Sequence, residues 1–173
     1  METSLSSARP KGKKLCGPGR LLFWPAVILM LGAVLVWQQA SAAVLVVRDM
    51  KTHRVLEIGP ISEGDSFELR FIHSVDLLPV RDFFAYRDGG LVLCQTRCLS
   101  FGAGLGYTGQ GELKSHQGWN VIENMDRRVG ALPLRVGAVA DHTIIYGGEA
   151  YRLNRYFAPK SLVKIGVEQK WRF

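Results

Sequence analysis

The sequence is poor in the residues that build metal and redox sites. Three cysteines occur in 173 residues. The four histidines, His53, His73, His116 and His142, show no metal-motif spacing, and a zinc site would need a second ligand pair. No metal or cofactor is expected. Repeats and low-complexity segments are also lacking, which excludes solenoid and linker architectures. No long stretch keeps a helical period. Acidic residues are the scarcer charge, 15 against 22 basic, for a net charge of +7. That excess by itself would suggest a nucleic-acid partner.

Its distribution argues otherwise. Residues 9–20, RPKGKKLCGPGR, carry five basic residues and no acidic one, and lead into LLFWPAVILMLGAVLVW, residues 21–37, without a charge. Seventeen apolar residues fall between a signal-peptide core and a bilayer span. Ala40-Ser41-Ala42 supplies the small residues of a cleavage site, so residues 1–42 read as a signal peptide, or as a membrane anchor if uncleaved. Cys16 precedes the apolar run, whereas a lipoprotein cysteine would follow it. The basic flank stays cytoplasmic and residues 43–173 face outward. The exported part keeps 17 basic and 14 acidic residues, +3, and the support for nucleic-acid binding goes. Its expected location is periplasmic or extracytoplasmic. Its 131 residues (173 minus 42) suit one domain with a core of its own.

Short β-branched and apolar runs fill that domain: AVLVVRD, HRVLEI, SFELRFIHSV, PVRDFFAY, LVLCQTRCLSF, WNVIEN, LRVGAV, HTIIYG, AYRL and LVKIGVEQ. Asp88-Gly89-Gly90 and Gly147-Gly148 supply the positive φ of tight hairpins. The expected fold is all-β, a single antiparallel β-sandwich or barrel-like domain. The stretch from Phe101 to Gly118 reads as a long loop.

FIHSVDLLPVRD, residues 71–82, places His73 and Ser74 side by side with Asp76 and Asp82 following. On a regular strand His73 and Ser74 point to opposite faces. A serine nucleophile needs its base within hydrogen-bond reach, so a hydrolase reading largely fails. Folding the chain back around Leu77-Leu78, so that paired residue numbers sum to 155, sets Val75 against Val80, Phe71 against Phe84, Leu69 against Tyr86 and Glu68 against Arg87. His73 then faces Asp82. The pair is either a structural lock of the hairpin or a ligand contact or general base at the rim of the sheet. Asp76 is expected exposed at the turn.

Gly102, Gly104 and Gly106 alternate, but Tyr107 stands where a dinucleotide loop needs its third glycine. The loop either brings backbone N–H groups to an anion or bends the chain away from the preceding strand. Cys94 and Cys98 share a strand face about 13 Å apart, so a disulfide would require a bulge between them. Trp119 and Asp141-His142 are ambiguous as site residues: a Trp opening a strand is usually core, and an Asp before a strand is usually turn chemistry.

HSVD at 73–76 with Asp82, SFGAGL at 100–105, the Gly-Trp at 118–119 and DHTI at 141–144, in this order behind an export segment, resemble the bacterial domain-of-unknown-function family 1850. The likeness runs from about Val44 to Gln169. Members typically carry Glu at the position of Asp76, Pro where Gly106 stands and Asp where Gln117 stands. The resemblance implies an accessory, non-enzymatic protein associated with TRAP transporters of the TAXI type, contacting the permease, the solute receptor or a small-molecule anion. Its contact residues would be His73, Ser74, Asp76, Asp82, Gly102, Ala103, Gly104 and Leu105. An independent small-molecule-binding domain is the second reading and an exported hydrolase the third.

Overall fold

The computed structural model describes residues 41–101 and 109–171. Residues 1–40 of the expected signal peptide or anchor, Cys16 among them, and Gly102, Ala103, Gly104, Leu105, Gly106 and Tyr107 lie outside the described residues, whereas Ser41 and Ala42, expected within the leader, open β1. Residues from Ser41 onward form a compact unit of their own. No helix among the described residues is long and apolar enough to cross a membrane.

The unit is built almost wholly of antiparallel strands. In chain order they are β1 (Ser41–Asp49), β2 (Val55–Pro60), β3 (Ser66–Ile72), β4 (Pro79–Arg87), β5 (Gly90–Cys98), β6 (Glu112–His116), β7 (Trp119–Glu123), β8 (Arg127–Gly130), β9 (Leu132–Arg135), β10 (Thr143–Tyr146), β11 (Glu149–Arg152) and β12 (Leu162–Trp171). A 3-10 turn, Leu153–Arg155, follows β11. One sheet has the order β2-β1-β12-β9, the other β11-β10-β3-β4-β5-β7-β6, with β8 paired to the first half of β5. Both sheets turn apolar faces inward. Leu45, Val47, Val163 and Ile165 of the first pack with Phe67, Leu69, Phe84, Leu91 and Ile144 of the second. Alternation produces this division, because every second side chain of a strand reaches the same face. The all-β expectation holds as a two-sheet, sandwich-like domain.

The glycine pairs make the hairpins expected of them. Asp88 and Gly89 have φ of 49° and 75°, joining Arg87 to Gly90, and Gly147 and Gly148 have 58° and 84°, joining Tyr146 to Glu149. Two successive positive φ values match the twist of the flanking strands. Gln117-Gly118 does the same between His116 and Trp119. The region from Phe101 to Gly118 is therefore not wholly loop, since β6 occupies its second half.

The β3–β4 pairing departs from the expected register by four residues. Phe67 faces Phe84, Leu69 faces Asp82 and Phe71 faces Val80. Strand β3 stops at Ile72, and residues 73–78 form a six-residue turn closed by His73 N–H to the Leu78 carbonyl and Leu77 N–H to the His73 carbonyl. A shift by an even number keeps every side chain on its expected face, so alternation could not discriminate the two registers. Leu77-Leu78 lacks the residues a two-residue turn needs, and the chain takes a longer one. His73 consequently does not face Asp82, Leu69 does not meet Tyr86, and Glu68 lies opposite Phe83 instead of Arg87.

Three smaller differences follow from local chemistry. His53 sits in a turn at φ 60°, so β2 starts at Val55. The strand expected over LRVGAV ends at Arg135, where Val136 N–H turns to the Ser161 carbonyl. Strand β5 does bulge at Cys94, Phe83 facing Gln95 and Phe84 facing Leu93. Cys94 and Cys98 are nonetheless free thiols.

Candidate functional site

The described parts of the sequence motifs gather at one end of the larger sheet. Strands β3, β4 and β5 run as a meander, so the 73–78 turn and the exit of β5 at Cys98 share an end, Val80 facing Cys98. The DHTI segment joins them there: Ile72 N–H donates to the Ala140 carbonyl at 2.8 Å, and β10 pairs with β3 immediately afterwards. Phe101 follows at that end, as expected from the strand lengths.

His73 finds its partner within its own turn. The Asp76 backbone N–H lies 3.4 Å from His73 Nδ1, and Asp76 Oδ2 lies 3.3 Å from the same nitrogen. A neutral Nδ1 accepts the backbone proton, whereas a protonated one would form an ion pair with the carboxylate. Asp76 is not the exposed residue expected. Its side chain is half-buried, and Oδ2 is buried with no hydrogen-bond partner among the described residues. Ser74 is exposed.

Asp82 sits on the core face, opposite Leu69 on one side and Thr96 on the other. Thr96 Oγ1 donates to Asp82 Oδ1 at 2.8 Å. Apolar surroundings disfavour the charged carboxylate, and burial pushes its pKa up to about 6 against the smaller opposing effect of the Thr96 hydrogen bond. Cys98, one row nearer the end, has its thiol pushed upward by burial and then by the Asp82 charge. A thiol held protonated is a small apolar filler and not a nucleophile.

His142 completes the inner row. Its ring stacks on Phe71 with centroids 5.6 Å apart, and its Nδ1 is buried without a partner among the described residues. Burial lowers its pKa, the Asp141 charge opposing, so the imidazole is held neutral. Asp141, at φ 42°, accepts from Asn154 Nδ2 at 2.9 Å, which is turn chemistry. Sequence reasoning left His142 ambiguous; its place on the core face would have followed from extending the alternation of Ile144 by two residues.

The outer face of the same sheet carries a row that the sequence reading missed. Arg152, Thr143, Arg70, Arg81 and Arg97 stand directly opposite one another across β11, β10, β3, β4 and β5. Like charges so placed repel, and the neighbours offset this. Glu68 binds Arg70 through two hydrogen bonds and lies 3.7 Å from Arg81. Arg81 covers the Trp119 ring at 5.2 Å, and Arg97 covers Phe83 at 5.0 Å. Trp119 is therefore a half-buried platform on the outer face. A shallow cleft of about 340 Å³, lined by Ile72, Pro79, Ile145, Arg70, Arg81 and Arg152 among others, runs beside the row. Among the described residues no group of three or more His, Cys, Asp or Glu is placed to hold a metal ion.

Residues 67–153, just over half of the chain, match the family model described as "Domain of unknown function (DUF1850)". The chain belongs to this family. All four motifs lie inside the match, which spans β3 to β11 and leaves β1, β2 and β12 outside it. The DUF1850 segment thus supplies every strand of the larger sheet, while most of the smaller sheet comes from the flanks. No curated protein and no solved structure matches the chain.

Proposed function

We propose that this chain is an extracytoplasmic, non-enzymatic accessory of a TAXI-type TRAP solute transporter, engaging its permease, its solute receptor or the solute. The association comes from the resemblance of the four motifs. The observation that carries a binding role is their placement: the 73–76 turn, the 141–144 segment and the start of the 99–101 exit come to one end of one sheet. The chemical states there suit recognition better than turnover. His73 contacts Asp76, the Cys98 thiol is held protonated and His142 is held neutral, so among the described residues of this end no activated nucleophile stands beside a base. Gentle detergent extraction of native membranes, with the transporter expressed, is expected to co-purify a TAXI receptor or permease with this protein. Repeated absence of both after crosslinking would end the reading.

A second reading, an independent binder of a small organic anion, is favoured by the cleft with its guanidinium groups and apolar floor. It requires saturable anion binding by the isolated protein, lost in Arg81→Ala, and no dependence on any transporter component.

A further inference from the structure

Seven large apolar side chains are exposed among the described residues, and four of them stand at the motif end of the larger sheet. Val75 and Leu77, 67% and 61% exposed, project from the 73–78 turn. Leu99, 37% exposed, follows β5 directly beside that turn. Val139, 63% exposed, precedes Ala140, whose carbonyl holds Ile72. None of the seven lies on the 61–65, 88–89 or 147–148 turns at the other end. Scattered apolar residues need no explanation, but four gathered at one end of a sheet point to an interaction site. Leu77 adds an independent sign, since its φ of 53° is a left-handed conformation that a leucine adopts at a cost.

Cations border the tip. Arg81 is two residues from the start of β4, and Arg152 stands two strands from Arg70 in the same row. Their nearest carboxylates, Glu68 and Asp141, are 3.7 and 3.6 Å away, beyond good hydrogen-bond length, so both forks keep donors for a partner's acidic groups. An apolar centre with Arg and Trp at its margin has the composition of a protein-interface hot spot.

We infer that this tip, Val75, Leu77, Leu99 and Val139, is a docking surface for a folded protein that presents an apolar socket rimmed by carboxylates. The inference rests on the transporter-accessory reading and names the surface it uses. A membrane is the less fitting occupant. Ala43, near the start of β1, pairs with Gln169, whose amide donates to the Tyr86 hydroxyl, and Tyr86 lies at the end of β4 remote from Pro79. The described residues of β1 therefore begin at the end opposite the tip.

The test is photo-crosslinking of the full chain in its native host with the TAXI receptor and permease expressed. Benzoylphenylalanine replaces Leu77 or Leu99 at the tip, or Glu149 at the far hairpin. Crosslinks to the receptor or permease from 77 and 99, about tenfold stronger than from 149, are the expected result, with co-purification falling about tenfold in Leu77→Asp and in Val139→Asp. Thermal melts of both aspartate variants establish that they fold; the exposure of the two positions predicts that they do. Crosslinks from 149 alone would leave the transporter reading standing and overturn the tip. Capture of phospholipid, or of a second copy of this chain, from position 77 would overturn it likewise. No capture from any of the three positions would overturn both readings.

Discussion

The 73–78 turn at the motif end of the larger sheet and the hairpins at its far end solve the same problem, reversing a chain, in opposite ways. At the far end the chain turns with Asp88-Gly89 and Gly147-Gly148, all at positive φ. The bends are tied down there, Tyr86 N–H bonding the Asp65 carbonyl and the Tyr146 hydroxyl bonding the Pro60 carbonyl at 2.6 Å. At the motif end a leucine takes the left-handed turn position. The two buried side-chain polar atoms without a hydrogen-bond partner among the described residues, His142 Nδ1 and Asp76 Oδ2, the latter 3.3 Å from His73 Nδ1, also lie there. An unsatisfied buried group costs about 1–3 kcal/mol. Local rules agree with the fold in the glycine hairpins, Gln117-Gly118 of the motif end included, and are broken in the 73–78 turn and at His142, the pattern expected when stability is spent on recognition.

The largest effect should come from the sheet interior that both ends share. Phe84 is 2% exposed and stacks on Phe67 at 5.2 Å. Phe84→Ala is expected to lower unfolding free energy by about 3–5 kcal/mol, whereas Leu77→Ala, on the exposed tip, should change it by less than about 1 kcal/mol. Urea unfolding of both variants checks this. Equal losses would show that the tip is structural and erase the contrast between the ends.

Next in size is a pH effect at Asp82. Its pKa rises from 3.8 to about 6 on folding, so the native state holds the proton more tightly than the unfolded chain. Its contribution is therefore fully present below about pH 4, is lost as pH rises towards 6, and stays lost above. The shift corresponds to roughly 2–3 kcal/mol. Asp82→Asn keeps an acceptor for Thr96 and removes the charge, so it should stabilise the protein above pH 6 by up to that amount and have little effect near pH 4. Unfolding midpoints of variant and parent across pH 4–8 give the difference directly. A variant that is less stable at pH 8 would show that the carboxylate is held by a partner.

A third effect, at the far end, is smaller. Gly89 sits at φ 75°, and a Cβ there would meet open space. Gly89→Val therefore costs backbone strain alone, about 1–2 kcal/mol, read as a lower thermal midpoint. No loss would mean that the hairpin is looser than its φ values imply.

Much of this architecture was legible in the residues. The alternation of Phe67, Leu69 and Phe71 identified the core face, and the glycine pairs located two hairpins. The register of β3 against β4 was not legible, because a four-residue slip leaves every residue on the same face and only the turn could arbitrate. Strand β6, Glu112–His116, escaped because all five residues are exposed on an edge, where no apolar period is required. Convergence of the 73–76 and 141–144 motifs depends on β10 pairing with β3, a contact between segments seventy residues apart that no local pattern encodes. The outer arginine row is invisible for the same reason.

The smallest effect is the one that separates the two ends most sharply, because its sign should reverse. Leu77 occupies its left-handed position with its side chain 61% exposed, so it gains little from packing and bears the steric cost of positive φ. Asparagine tolerates that conformation far better. Leu77→Asn should therefore raise unfolding free energy by about 0.5–1 kcal/mol, whereas substitution at the glycine hairpins lowers it. The same change removes one of the four apolar side chains of the tip, so association with a partner should weaken as stability rises. A stability–function trade-off of this kind is the signature of a residue kept for contact. Chemical unfolding and quantitative crosslinking of one protein preparation measure both sides. If Leu77→Asn destabilises the domain, the leucine is packing against something the turn needs, and the motif end is built for stability like its counterpart.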